Sequence, residues 1–283
     1  MASSSRKGPD LTGKLTAIAQ KRITKERVQL EKDSKGLEEC GIYVHWSDEL
    51  HKPVALIVGP GDTPYEGGFY FFDVQFTDNY PMSPPHVLFK TGDGRVRFNP
   101  NLYVDGKVCL SILGTWQGPS WSTSGQLRTV LVSIQSLLSD HPIQNEPGFE
   151  NEAGDKDKLY SEIIRYENIA VAVVRMLEHT PKRFEAFRPQ MRRVFLQNFD
   201  MYMAAMDAYK GQESQSVRSP LWRFSVTFKP KEVAQKLLAL QQQLLVEESA
   251  ASSASASEPS RKPEGQVASA DDAATKKRRT QDQ

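Results

Sequence analysis

The sequence predicts an α+β fold, a four-stranded antiparallel meander with a helix ahead of it, a central helix after it and a helical C-terminal extension. Three observations lead there. Four short β-branched or aromatic runs lie between residues 42 and 90, separated by Gly, Pro and Asn turns. An amphipathic helical pattern precedes them. Apolar residues at helical spacing dominate from residue 126 to residue 246.

The first helix is read over residues 12–32, where Leu15, Ala19, Ile23 and Leu30 form one apolar face at spacings of 4, 4 and 7. Lys14, Lys21, Lys25 and Lys32 fall on the other side, a stripe that suits either a solvated face or a docking face for an acidic partner. Ile42–Trp46, Val54–Val58, Phe69–Phe76 and His86–Lys90 are the strand candidates. In the third, Phe72, Val74 and Phe76 alternate with Asp73 and Gln75. Gly59-Pro60-Gly61-Asp62, Glu66-Gly67-Gly68 and Asn79-Tyr80-Pro81 supply the turns. Such a meander needs a helix over its face. Residues 92–125 are rich in Gly, Pro, Asn and Ser and read as a long functional loop. A buried helix over 126–139 follows, carrying Leu127, Val130, Leu131, Ile134, Leu137 and Leu138, with Ser124 as its expected N-cap. Further helices are expected at Lys158–Leu177, at Phe184–Lys210 with Pro189 starting or kinking it, and at Val233–Val246.

The chain has 283 residues, 39% apolar and 25% charged, with 36 basic against 35 acidic side chains. That balance calls for neither nucleic acid nor an anionic membrane as partner. No apolar run reaches the ~18 residues of a membrane span, and the start has no apolar signal core. Two cysteines, Cys40 and Cys109, make no disulfide framework, and with five scattered histidines they show no zinc spacing. A cytoplasmic protein is expected. From Glu247 onward the sequence turns to Ala, Ser, Pro and charge, which reads as disordered, and Lys276-Lys277-Arg278-Arg279 is a candidate nuclear import signal. The expected organisation is a flexible 1–11, a main domain over 12–180, a helical extension over 181–247 and a tail over 248–283.

Cys109 and Asn101 are the chemically informative pair. A thiolate carries an acyl group as a thioester, and an Asn amide donates to the oxyanion formed when that thioester is attacked. If both lie at one site, the chemistry is acyl transfer through cysteine. A buried structural thiol and an Asx-type loop holder are the plain alternatives. A cysteine protease needs a paired His, and only His141 is near in sequence. A phosphatase needs an Arg after the Cys, and Leu110–Gln117 has none.

Tyr80-Pro81-Met82-Ser83-Pro84-Pro85, Asn99-Pro100-Asn101, Cys109 eight residues after Asn101, and Trp121-Ser122 together resemble the catalytic domain of ubiquitin-conjugating enzymes. Gly59-Pro60 and Asp62-Thr63-Pro64-Tyr65-Glu66-Gly67-Gly68-Phe69 match the same family. Val96–Asn101, Gly106–Trp116 and Asn145-Glu146-Pro147-Gly148-Phe149-Glu150 look like its class Z, whereas residues after about 211 resemble that class little. The resemblance implies the ubiquitin-conjugating (UBC) fold. It implies that an activating enzyme passes ubiquitin, or a ubiquitin-like modifier, to Cys109, and that a substrate lysine then attacks, alone or on a ligase. No cofactor is expected, ATP being used by the activating enzyme, and a monomer is expected. An inactive scaffold of the same fold is the alternative, disfavoured because Cys109 and Asn101 are both present.

Residue by residue, the resemblance makes Cys109 the carrier and Asn101 the oxyanion donor. Asn99 stands where most of the family has His, a position thought to be structural, so no histidine base sits in the motif. Glu146 is the preferred acceptor for the lysine proton, with Asn145 and His141 behind it. Lys14, Lys21, Arg22 and Lys25 match the helix that docks on the activating enzyme. Met82 replaces a ligase-facing aromatic, and Ser122-Thr123-Ser124 replaces the common Ser-Pro-Ala, which puts ordinary RING-ligase pairing in doubt. The insertion Trp116–Ser120 should reshape the cleft, and Trp121 is expected to be a core residue.

Overall fold

The computed structural model describes residues 15–256. Helix α1 runs Ala17–Lys32, followed by the short α2 (Ser34–Glu39). Strands β1 (Ile42–His45), β2 (Val54–Val58), β3 (Phe69–Gln75) and β4 (His86–Phe89) then form an antiparallel meander in sequential order. The register sets Leu56 opposite Phe71 and Val74 opposite Val87. Helix α3 is Leu127–Gln135, a 3-10 turn spans Pro142–Asn145, and α4 is Asp155–Glu167. The chain continues through wide π-helical turns at Asn168–Arg175 into α5 (Met176–Glu178). A 3-10 turn at Lys182–Phe187 leads into α6 (Arg188–Gln197), and α7 is Phe199–Ala208. Strands β5 (Ser216–Arg218) and β6 (Ser225–Thr227) pair as a hairpin before α8 (Pro230–Ala256).

Both faces of the sheet are buried over β1, β2 and β3. Ala55, Ile57, Tyr70, Phe72 and Val74 point into one core with Ala19, Ile23 and Leu30 of α1 and Leu127, Val130, Leu131 and Ile134 of α3. The alternate residues Tyr43, Val54, Leu56, Phe69 and Phe71 point into a second core made with the extension, where Phe184 stacks on Phe71 at 4.6 Å between ring centroids. Period-2 alternation divides β1, β2 and β3 between the two cores, while β4 gives Val87 and Phe89 to the first and leaves His86 and Leu88 exposed. A strand buried on both faces reads as a continuous apolar run, and Phe69-Tyr70-Phe71-Phe72 is such a run. The described residues as far as Leu244 make one compact unit, extension included.

The four strands lie where the sequence places them, within one residue at their ends. Four expectations are corrected and one, the role of Pro189, is narrowed. The extension is not purely helical: β5 and β6 were too short, at three residues each, to stand out as period-2 patterns. The Phe184–Lys210 pattern is broken at Asn198, whose side-chain amide turns back onto the Val194 carbonyl at 2.9 Å. Pro189 starts α6 rather than kinking it. Ser124 does not cap α3. The first amide of that helix, Leu127 N, donates instead to Glu26 Oε2 of α1 at 2.9 Å. The tail expected to be disordered over 248–283 is helical at its start, because α8 runs on to Ala256. Lys14, the rest of the tail from residue 257 and its basic cluster at 276–279 lie outside the described residues.

Candidate active site

Residues 101–109 fold into a narrow ribbon inside what reads in sequence as an irregular loop. Cys109 N donates to Asn101 O at 2.9 Å, Tyr103 N donates to Lys107 O at 2.9 Å, and Leu102 pairs with Val108. Asp105-Gly106 makes the turn. Gly106 has φ +95° and a Cβ there would lie 2.9 Å from Phe89 O, so this corner can pack on β4 only as glycine. Alternation along the ribbon sends Leu102 and Val108 into the first core. It puts Asn101, Tyr103, Lys107 and Cys109 together on the opposite face. The two informative residues are therefore cross-strand neighbours.

The Cys109 side chain is 1% exposed. Burial pushes its thiol above the ordinary value, and Asp105 adds to the rise. The Lys107 charge, a hydrogen bond from Tyr103 and the Arg97 guanidinium pull the other way. Thr115 grips the chain on both sides of the cysteine: its hydroxyl bonds Val108 O at 2.7 Å and Leu110 O at 3.1 Å and accepts from Leu110 N at 3.0 Å. The thiol sits on a fixed backbone.

Asn101 donates through Nδ2 to Cys109 O at 2.7 Å, and its own N–H donates to Asn99 Oδ1 at 2.9 Å. Asn99 is fully buried, and its amide donates to Tyr65 Oη at 2.9 Å and to Leu137 O at 2.7 Å. Both polar atoms of the Asn99 side chain are engaged: Oδ1 holds Asn101, and Nδ2 anchors the motif to Tyr65 and Leu137. Asn145 donates to the same Leu137 carbonyl at 3.1 Å, which ties the Pro142–Asn145 turn to this motif. Asn145 is thus a strut. Glu146 follows it, half-buried, and its carboxylate makes no hydrogen bond or ion pair among the described residues. His141 faces away into another pair: Nδ1 lies 2.7 Å from Asp157 Oδ2, and that carboxylate raises the imidazole's affinity for a proton.

The family model described as ubiquitin-conjugating enzyme matches residues 22–167, a span that holds all four strands, the Cys109 ribbon and α3. The chain belongs to the ubiquitin-conjugating enzyme family. Ubiquitin-conjugating enzyme E2 Z of Xenopus tropicalis is 44% identical to it over 196 residues, covering 69% of this chain and 63% of that protein. The human E2 Z protein is also 44% identical over 196 residues, covering 69% of this chain and 55% of its own length. A segment amounting to 4% of the human dual E2 ubiquitin-conjugating enzyme/E3 ubiquitin-protein ligase BIRC6 is 42% identical over 190 residues, 64% of this chain. The chain spans 55–63% of the length of the two E2 Z proteins.

On this conjugating-enzyme domain the partner-facing residues named from sequence divide. Lys21 and Lys25 are exposed on α1. Arg22 is directed inward: its Nε donates to Glu26 at 2.6 Å and a terminal nitrogen donates to Gly125 O at 2.6 Å. Met82 is 62% exposed, and Ser122 and Thr123 are exposed beside it, because Trp121 Nε1 donates to Pro81 O at 2.8 Å and clips the two loops together. Trp121 is half-buried against the first core, and Gly125 lies directly beneath its ring. The insertion Trp116–Ser120 is exposed throughout. Among the described residues no helix is long and apolar enough to cross a membrane, and no group of three or more His, Cys, Asp or Glu is placed to hold a metal.

Sequence reading missed Thr115, Glu26, Tyr103 and Arg97. Glu26 acts across elements and Thr115 within its own irregular loop, and neither carries a local signal. Tyr103 had one: Asp-Gly between Tyr103 and Lys107 is a hairpin-turn signal, and it sets the ribbon's alternation.

Proposed function

We propose that this protein accepts ubiquitin, or a ubiquitin-like modifier, from an activating enzyme as a thioester on Cys109 and passes it to a lysine amine. Membership of the family and the pairing of Asn101 with Cys109 on one ribbon face support the reading. In the loading step the Cys109 thiolate attacks the thioester carbonyl on the activating enzyme, the new C–S bond forms, and the activating enzyme's thiolate leaves. In the second step the lysine nitrogen attacks the Cys109 thioester, an oxyanion forms, and its collapse expels the Cys109 thiolate and leaves an amide.

Asn101 serves the oxyanion. One of its two amide hydrogens is given to Cys109 O, which fixes the side chain beside the reacting centre, and the other is left to donate. The lysine, with an ordinary pKa of about 10.4, must lose a proton as it attacks. Glu146 is our acceptor, because its carboxylate is uncommitted while Asn145 and His141 are held by other partners. The activating enzyme, the modifier and, where one is used, a ligase are the partners of this reading. The exposed Lys21 and Lys25 and the clipped loops of Met82, Ser122 and Thr123 are the surfaces it assigns to them.

The test is charging. Protein incubated with activating enzyme, ATP and ubiquitin should form an adduct that thiols cleave, and Cys109→Ser should convert it to a thiol-resistant oxyester. Absence of any adduct across a panel of activating enzymes and modifiers overturns the proposal.

A further inference from the structure

The loop between β5 and β6 reaches back to the ribbon that carries Cys109. Trp222, from the part of the chain that least resembles class Z, lies flat against the Arg97 guanidinium, 3.8 Å from its ring centroid. The other side of the same guanidinium lies 3.7 Å from the Tyr103 ring centroid. Arg97 is thus a plate between two aromatic rings, a geometry that its planar delocalised charge permits and a lysine's does not. No carboxylate pairs with it among the described residues. Its terminal nitrogen donates to Pro100 O at 2.6 Å, and its Nε is buried without a hydrogen-bond partner. The two rings therefore hold it sideways.

Trp222 is itself held. Leu221 is buried in the same core as Leu102 and Val108, the inward residues of the ribbon. Ser219 N donates to Phe224 O at 3.0 Å and closes the loop, and the Tyr160 ring meets Trp222 edge-on at 6.0 Å. Trp222 has φ +56°, a left-handed backbone that a bulky side chain seldom adopts. Such strain persists where the surroundings fix it, often at functional sites. Tyr103 shares the ribbon face with Cys109 two positions along, its hydroxyl favours the thiolate, and the thiol is almost wholly covered.

We propose that Trp222 is a positioning residue for the acceptor thiol: by clamping Arg97 against Tyr103 it keeps the Tyr103 side chain over Cys109, so that the C-terminal hairpin controls access to the site. Loading with a modifier requires the stack to part. The proposal rests on Cys109 being the acceptor, but its test reads the thiol directly, so it and the charging assay fail separately.

The experiment is alkylation by iodoacetamide on the full chain, followed at the Cys109 peptide by mass spectrometry across a pH series, with melting temperature measured alongside. The charged and titrating groups facing the thiol are Lys107, Tyr103, Arg97 and Asp105. Trp222→Ala should raise the limiting high-pH rate about tenfold by easing local opening. Trp222→Phe, which restores an aromatic face, should return it to the wild-type rate. Tyr103→Phe should leave the limiting rate in place and move the midpoint of the profile upward, since a donor to the thiolate is gone. Arg97→Lys keeps the charge without the plate and should behave as Trp222→Ala does, which gives a second reading if the tryptophan variant fails to fold. Val226→Ala, in the second core, controls for lost stability. A wild-type rate in both Trp222→Ala and Arg97→Lys, or an equal rise in Val226→Ala, overturns the proposal.

Discussion

Replacing Glu26 should weaken the whole catalytic unit, although it lies on α1 and no part of the proposed chemistry uses it. Its carboxylate is 5% exposed and takes three donors: Tyr80 Oη at 2.5 Å, Arg22 Nε at 2.6 Å and the Leu127 amide at 2.9 Å. By accepting from that amide the carboxylate caps the N-terminus of α3, worth about 1 kcal/mol in an ordinary helix. The tyrosine bond to a buried charge contributes about 1.5–3 kcal/mol. The arginine's share is smaller, since its side chain is 24% exposed and water takes over part of what is lost. Glu26→Ala should therefore cost about 3–4 kcal/mol, and Glu26→Gln about 2 kcal/mol, because the amide offers one acceptor and sets a donor against a donor. Urea unfolding followed by tryptophan fluorescence measures both, with Trp121 reporting from 5.9 Å beyond Tyr80. A double-mutant cycle with Tyr80→Phe should show coupling of at least ~1 kcal/mol. A cost below ~1 kcal/mol for Glu26→Ala, or strict additivity in the cycle, refutes the view that this carboxylate joins α1 to α3.

Asn101→Ala should slow single-turnover discharge of the charged protein to free lysine by ~10²–10³, with loading slowed far less; a loss below tenfold in discharge would leave Asn101 as a loop holder alone. Glu167 is 5% exposed, and burial, reinforced by Asp93 and opposed by Arg95, raises its carboxyl from 4.5 to about 7. The folded state thus prefers the protonated form: stability is full below about pH 4.5, falls as pH rises to about 7, and by pH 8 has lost on the order of 3 kcal/mol. Glu167→Gln should accordingly melt higher than wild type at pH 8 and similarly near pH 4.5, and pH-independent spacing between the two melting curves would contradict this.

The meander was legible because its strands carry their own signals, with apolar alternation bounded by Gly, Pro and Asn. The Asn99–Cys109 motif was legible as chemistry, and the structure shows why its Asn-for-His position tolerates the swap: Asn99 acts as a buried spacer that fills three hydrogen bonds. What was hidden is long-range. Arg22 sits in a lysine-rich stripe and reads as surface, yet a carbonyl 103 positions away accepts its hydrogen bond. Glu26 falls in line with Ile23 and Leu30 on the apolar face, and a carboxylate there makes sense only once Tyr80 and Leu127 arrive beside it. Trp222 had no local pattern at all, because its partner Arg97 is brought to it only by the fold of the intervening helices.

The double-sided burial of the sheet bears on how this protein can be cut and how it can change. The family match stops at residue 167, but Tyr43, Leu56, Phe69 and Phe71 lie against side chains that come after it. A fragment trimmed to that segment would present Tyr43, Leu56, Phe69 and Phe71 to solvent as a sticky plane, so the segment the family match covers is not portable on its own. Change in the later helices is answerable to the strands beneath them, and the loop that carries Trp222 is answerable in turn to the Cys109 ribbon, through Leu221 and Arg97.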